Sequence, residues 1–119
     1  MTTTARQILL VDDDESFRYS TEKLMTEAGF EVQSAPDYRK ALEVLSSDKH
    51  VDLLLTDVVM PNRVNGFALA RMASMKRSDL RVVYMTAFEV PENEAMGPVL
   101  RKPISNEQLL SEVKRVLAA

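Results

Sequence analysis

The sequence predicts an α/β fold, in which helices cover both faces of one parallel sheet. Short apolar clusters rich in branched residues alternate with longer segments whose apolar residues recur at three- and four-residue steps. The clusters are apolar without interruption, as in strands that are buried on both faces. A length of 119 residues allows one domain. We therefore expect a single domain over residues 1–119, with its core at about residues 7–118.

Five strands are predicted from these clusters, at residues 8–11, 31–35, 51–56, 81–85 and 98–101. Right-handed crossovers leave few topologies for such a chain, and the flavodoxin-like strand order 2-1-3-4-5 is the common solution for five strands. In this order ligands bind at the carboxyl ends of strands one and three, where the direction of winding reverses. Functional residues are expected at that edge of the sheet.

Helix signals lie between the predicted strands. Gly29 follows the apolar repeat of the first helix, where a C-terminal cap belongs. Asp37 is the predicted N-cap of the second helix, and Ser105, with Gln108 three residues later, opens the last one. Another helix is predicted at about residues 66–76. Together these helices supply the covering layers of the sheet.

The connection before the last strand is short for a helical crossover. Only residues 87–101 separate Thr86 from Lys102, and two prolines and a glycine interrupt them. A helix there has room for residues 92–96, which is about one turn. We expect this fourth crossover helix to be short or absent.

Composition excludes several classes of protein. Fifteen Lys and Arg against eighteen Asp and Glu give a net charge of −3, which argues against direct binding of nucleic acid. The absence of cysteine excludes disulfides and thiolate sites and is typical of a reducing compartment. Uninterrupted apolar runs reach only four residues, too few for a membrane span. A cytoplasmic protein without membrane contact is the expectation.

Every predicted strand except the second ends at a polar or charged residue. Asp12 and Asp13 follow strand one, Asp57 follows strand three, Thr86 follows strand four and Lys102 follows strand five. Each alone has an ordinary explanation as a loop, turn or surface residue. Carboxylates that converge on one crevice repel one another unless a cation compensates them. Mg²⁺ fits, because it is typically held by one or two carboxylates, water and phosphate.

A metal, a carboxylate, a lysine and a hydroxyl together can receive a phosphoryl group. Asp57 would be the nucleophile, since a carboxylate can attack phosphorus to give an aspartyl phosphate. Lys102 would neutralise charge on the transferring oxygens, and Thr86 could donate a hydrogen bond to one of them. The residues themselves therefore favour phosphoryl transfer to an aspartate.

Four segments carry a family resemblance: ILLVDDDES, LLLTDVVMP, VVYMTAF and VLRKPIS. In this order and spacing the chain resembles the receiver domains of bacterial two-component response regulators, which have the fold of chemotaxis regulators. The resemblance implies a cis peptide between Lys102 and Pro103. It also implies the following roles: Asp57 as phosphoacceptor, Asp12 and Asp13 as the acidic pair, the Val59 carbonyl as a further Mg²⁺ ligand, Thr86 as the switch hydroxyl and Lys102 as the phosphate-contacting lysine.

The resemblance also implies partners. A histidine kinase or a histidine phosphotransfer protein would supply the phosphoryl group, and an unidentified downstream protein would respond to it. Such a domain catalyses its own phosphorylation and dephosphorylation and is otherwise not an enzyme. A monomer or weak dimer is expected.

Two further features depart from the usual receiver pattern. An aromatic residue commonly stands three positions before the lysine, but Val99 occupies that position here. Four residues, 62–65, precede Gly66 where most receivers have three, and this resembles the receivers of hybrid histidine kinases. Together with the short fourth crossover, the departures place the usual output face in question.

Two alternatives stay open. A Mg²⁺-dependent phosphohydrolase with an aspartyl-phosphate intermediate would carry a second aspartate two positions after the nucleophile, where this chain has Val59. A pseudo-receiver that binds partners without phosphorylation would not need the acidic residues, Thr86 and Lys102 together. A flavin-binding protein is disfavoured, because its phosphate would meet an acidic first loop.

Overall fold

The computed structural model describes residues 5–60 and 65–118, which form one parallel sheet in the order β2-β1-β3-β4-β5. The predicted fold class and strand order are therefore confirmed. The strands are β1 (Gln7–Val11), β2 (Glu31–Ala35), β3 (Leu53–Asp57), β4 (Arg81–Thr86) and β5 (Val99–Arg101). The helices are α1 (Glu15–Glu27), α2 (Tyr38–Ser46), α3 (Gly66–Lys76) and α4 (Asn106–Ala118).

Strand boundaries differ from the prediction by one or two residues. β3 begins at Leu53 rather than residue 51. Asp52 lies outside the strand, and its carboxylate accepts the Gln7 amide at 2.8 Å. β1 begins one residue earlier than predicted, at Gln7, which pairs with Glu31 of β2. β5 begins at Val99, while Pro98 only accepts a hydrogen bond, from the Tyr84 amide at 2.9 Å.

The predicted caps form as expected. Asp37 accepts the Lys40 amide at 3.0 Å, and the Ser105 hydroxyl accepts the Gln108 amide at 3.0 Å. Gly29 has φ +99°, a left-handed conformation that L side chains rarely adopt, just after α1. The two N-caps fix loops at the carboxyl edge of the sheet, whereas Gly29 ends α1 at the opposite end, just before β2.

Each face of the sheet has its own core. α1 and α4 cover one face, with Met25, Leu109 and Val113 buried against the strands. α2, α3 and the connection between β4 and β5 cover the other, around Phe67 and Tyr84, whose rings meet edge to face at 4.9 Å. Met85 is buried in the first of these cores, whereas Met75 on α3 is not buried. Its side chain faces solvent, 86% exposed.

No helix forms within residues 87–98, which we call the crossover. It lies directly on the sheet: a Cβ at Gly97 would stand 1.9 Å from the Val82 carbonyl oxygen. The Met96 amide donates to the hydroxyl of buried Tyr84 at 3.2 Å, and Arg71 pairs with Glu94 at 2.7 Å. The prediction of a short or absent fourth helix is confirmed, and main-chain contact replaces the missing helix.

Residues 62–64 of the longer loop predicted at residues 62–65 lie outside the described part of the chain. Among the described residues, no helix is long and apolar enough to cross a membrane.

Candidate functional site

Four strand ends meet at the carboxyl edge of the sheet. The register places Val11 beside Thr56, and Asp57 beside Met85. Asp12 thus follows β1 next to the end of β3, while Thr86 ends β4 beside β5. Since parallel strands share one carboxyl edge, residues far apart in sequence form one cluster there.

Three carboxylates form the centre of this cluster. One oxygen from each of Asp12, Asp13 and Asp57 lies within 4.8 Å of the other two. Asp12 is fully buried, Asp57 is 7% exposed and Asp13 faces solvent. Carboxylate oxygens are ligands for hard divalent cations, so this group could hold a metal ion.

Lys102 supplies the opposing charge. Its Nζ lies 2.8 Å from Asp12 Oδ2 and 3.8 Å from Asp57 Oδ1. Its backbone amide donates a hydrogen bond to the Thr86 carbonyl at 2.7 Å, and a cis peptide joins it to Pro103, as the resemblance implied. The lysine therefore bridges two acids, and its closer partner is Asp12.

Burial dominates the electrostatics of Asp57. Loss of hydration raises the pKa of this carboxyl to about 6, against the lowering effect of Lys102. The negative charges of Asp12 and Asp13 raise the pKa further, while the Val58 amide lowers it. Ionisation of Asp57 is therefore less favourable than that of a free aspartate, and a bound cation would favour it.

Local chain geometry holds Asp57 in place. A Cβ at Gly66 would lie 2.4 Å from the Asp57 carbonyl oxygen, so only glycine permits this approach. The Gly66 amide donates to the Val58 carbonyl at 2.7 Å, and Asn65 caps α3 by accepting the Ala68 amide at 2.8 Å. The start of α3 is consequently packed against the main chain of Asp57.

Thr86 is buried at the edge of the cluster, but its hydroxyl is engaged elsewhere. Oγ1 accepts the Phe88 amide at 3.1 Å and donates to the Phe88 carbonyl at 3.3 Å. Val59 lies two residues beyond Asp57, with its side chain 44% exposed. The structure therefore joins the three acids with Lys102, and links Thr86 to the crossover.

Sequence inspection missed three contributors. The Phe17 ring centroid lies 4.1 Å from Lys102 Nζ. The Arg18 guanidinium donates to the Asp12 carbonyl at 2.8 Å. The contact of Gly66 with Asp57 also went unnoticed. Gly66, a glycine at the start of a predicted helix, was the one available sequence signal, because the other two contacts depend on side-chain orientation.

Comparison with known proteins agrees with this geometry. The response regulator receiver domain family matches residues 8–114. The chain therefore belongs to the receiver domain family of two-component response regulators, and it carries the aspartate phosphoacceptor site of such domains. It is a receiver rather than a conventional enzyme, and a receiver implies a cognate kinase.

Individual relatives span the same fold. The response regulator receiver protein CpdR of Brucella abortus is 33% identical, with 96% of this chain and 98% of that protein covered. A receiver protein from Sinorhizobium medicae superposes with a TM-score of 0.90 at 29% identity, over 99% and 98% of the two chains. The receiver of the hybrid histidine kinase CckA gives 0.83 at 29%, over 93% and 98%. In other curated relatives the matched segment covers 50% of the protein, so these relatives are about twice as long as that segment.

Proposed function

We propose that Asp57 accepts a phosphoryl group from the phosphohistidine of a histidine kinase or a histidine phosphotransfer protein. The observation that carries this proposal is the position of Asp57, nearly buried at the end of the central strand and between two acids and a lysine. A carboxylate oxygen of Asp57 attacks phosphorus as the bond from phosphorus to the histidine nitrogen breaks. The nitrogen leaves with the electron pair and is protonated by solvent.

Asp12, Asp13 and Asp57, with the Val59 carbonyl, would hold Mg²⁺. The donor set fits, because all side-chain ligands are oxygens and one of them is on an exposed residue that leaves access to water. Bound Mg²⁺ neutralises negative charge on the transferring phosphoryl oxygens. Burial raises the pKa of Asp57 to about 6, and a bound cation would favour the ionised form of this carboxyl.

Lys102 and Thr86 have complementary roles in this proposal. Lys102, already 3.8 Å from Asp57, needs only a small movement to contact a phosphoryl oxygen. Thr86 must first exchange its two hydrogen bonds with Phe88 for one to the phosphoryl group. Phosphorylation would then release the start of the crossover, and the signal would reach a downstream protein through the crossover, α4 and the exposed ring of Phe88.

We place the whole of residues 1–119 in one receiver domain with its core at about residues 7–118, acting in the cytoplasm as a monomer or weak dimer. The lack of cysteine and the short apolar runs support the cytoplasmic part of this assignment.

A small phosphodonor tests the proposal without its kinase. Acetyl phosphate with Mg²⁺ should add one phosphoryl group to the protein, detected by intact mass, and EDTA should prevent it. Asp57→Asn should abolish the modification, because the amide nitrogen and oxygen are poor nucleophiles. Asp48→Asn is the matched control, since it removes the same charge from an exposed residue after α2.

Modification of Asp57→Asn at the rate of the native protein would contradict the assignment of the phosphoacceptor. Loss of modification in Asp48→Asn as well would show that the effect reflects charge alone.

A further inference from the structure

The ammonium of Lys102 has contacts of two kinds. Two are with carboxylates, Asp12 at 2.8 Å and Asp57 at 3.8 Å. The third is with the face of an aromatic ring, Phe17, whose centroid lies 4.1 Å from Nζ. Only 18% of the Lys102 side chain is exposed, so the ring also limits the access of water to the charge.

Phe17 is well fixed for this role. It lies in the first turn of α1, where its amide donates to the capping carboxylate of Asp14 at 3.1 Å. Its ring is partly buried against the core cluster that contains Leu100 and Leu109. The helix start and the core together hold the ring beside the acidic cluster, independently of the lysine.

The two kinds of contact respond differently to a metal ion. Asp12 and Asp57, whose carboxylates attract Lys102, are also two of the residues that could hold a divalent cation. A cation held there competes with the ammonium for them and repels it. A phenyl ring is no ligand for a hard cation. Of the three contacts that Nζ makes with described residues, the contact with Phe17 is therefore the one for which a metal ion does not compete.

We propose that Phe17 is a positioning residue for phosphoryl transfer, which keeps the Lys102 ammonium at the site when a divalent cation occupies the carboxylates. From that place the ammonium can reach the phosphoryl oxygens on Asp57. Without the ring, the flexible four-carbon stem of lysine is free to turn toward solvent. The inference deepens the proposed function and rests on it.

The first test compares rates of phosphorylation by acetyl phosphate at saturating Mg²⁺. Phe17→Leu keeps an apolar side chain in the core but removes the aromatic face, and should lower the rate roughly 3- to 30-fold. Phe17→Tyr should restore it. Phe30→Leu is the matched control, because Phe30 packs against the same core cluster just before β2, at the opposite edge of the sheet, and its rate should equal that of the native protein.

The second test observes the contact itself. In the native protein with Mg²⁺ and no phosphodonor, ring-current shielding should move the NMR signals of the Lys102 ε-methylene protons upfield. Phe17→Leu should return them to the ordinary lysine position, while Phe30→Leu should not.

Either of two results would overturn the inference: ε-methylene signals of Lys102 at the ordinary position in the native protein with Mg²⁺, or a native phosphorylation rate in Phe17→Leu. The proposed function fails differently, by absence of Asp57 phosphorylation in the native protein. In that case the NMR signals still decide whether Phe17 holds Lys102 beside a loaded metal site.

Discussion

The acidic cluster and the crossover lie side by side at one end of the sheet, yet different forces hold them. In the cluster, Asp12 and Asp57 are buried charges opposed by Lys102, so its energy is electrostatic and depends on protons and cations. In the crossover, Gly97 rests on the Val82 carbonyl and the Met96 amide donates to the Tyr84 hydroxyl, while its ion pair with Arg71 is exposed, so its energy lies mainly in steric fit and hydrogen bonds. We therefore expect the stability change caused by a variant in the cluster to depend on pH and Mg²⁺, and the change caused by a variant in the crossover to be independent of both.

The largest expected effect is steric. Gly97→Ala must push the crossover off β4, because the new Cβ would stand 1.9 Å from the Val82 oxygen. We expect the free energy of unfolding to fall by about 3 kcal/mol, at the upper end of typical overpacking costs. Urea denaturation with and without Mg²⁺ measures it, and the loss should be the same in both.

Gly29→Ala is its control. That position has open space but φ +99°, so strain alone should cost about 1 to 2 kcal/mol. Equal losses at the two glycines would contradict the close contact of the crossover.

The next effect is electrostatic and of opposite sign. Burial raises the pKa of Asp57 from 3.8 to about 6, so between these values the native state binds more protons than the unfolded state. The free energy of unfolding must then fall as pH rises through that window. Asp57→Asn removes this loss and should stabilise the protein at pH 7 by about 2 to 3 kcal/mol. Urea denaturation from pH 4 to 7 should give a flatter profile for the variant, whereas an unchanged profile would exclude an ionisable Asp57 as its cause.

Binding of Mg²⁺ to the cluster should raise the free energy of unfolding of the protein by a similar amount. A ligand at about 100 times its dissociation constant adds roughly 2.7 kcal/mol if it binds only the native state. Asp13→Ala removes one of the three carboxylates and should reduce this gain, while Gly97→Ala should keep it in full. Thermal melts with and without Mg²⁺ provide the measurement. A gain that survives in Asp13→Ala but disappears in Gly97→Ala would reverse the comparison between the two regions.

The smallest expected effect links the regions. Beryllofluoride, a mimic of the phosphoryl group, should draw the Thr86 hydroxyl away from Phe88 and deprive the Phe88 amide of its acceptor. Hydrogen exchange within residues 87–98 should then quicken about fivefold, the lower end of usual coupling between sites. The amides of α2 serve as an internal control, and Asp57→Asn should show no change. A response confined to α1 would show that the crossover does not carry the signal.

The sequence predicted the strand order and the convergence of the site residues, but it predicted the strand ends less accurately. Strand order followed from uninterrupted apolar runs and the handedness of crossovers, and because parallel strands share one carboxyl edge, it also predicted that Asp12, Asp57 and Lys102 would converge. Strand ends were less certain, since the start of β3 depends on Asp52, which accepts the amide of Gln7 from a distant segment. No local pattern encodes such a partner.

Side-chain orientation set the other limit. Phe17 and Lys102 are 85 positions apart, and nothing in the helical spacing of Phe17 distinguishes a ring in the core from a ring beside a cation. Met75 fits an apolar helical repeat equally well, yet α3 turns it toward solvent. Periodicity predicts the face of a helix approximately, whereas the atom that a side chain touches depends on rotamers and neighbouring elements.

The lack of a helix in the crossover also bears on how this domain folds. β4 and β5 are joined by a short chain, and the entropy lost on closing a loop grows with its length. β5 can therefore pair with β4 after a small search, which makes this contact among the more local ones in a sheet otherwise built from long-range pairings. Once β5 has paired, Ser105 and α4 follow directly along the chain. We therefore expect β4, β5 and α4 to associate as a unit during folding, which would bring Lys102 to the acids when that unit docks on the rest of the sheet.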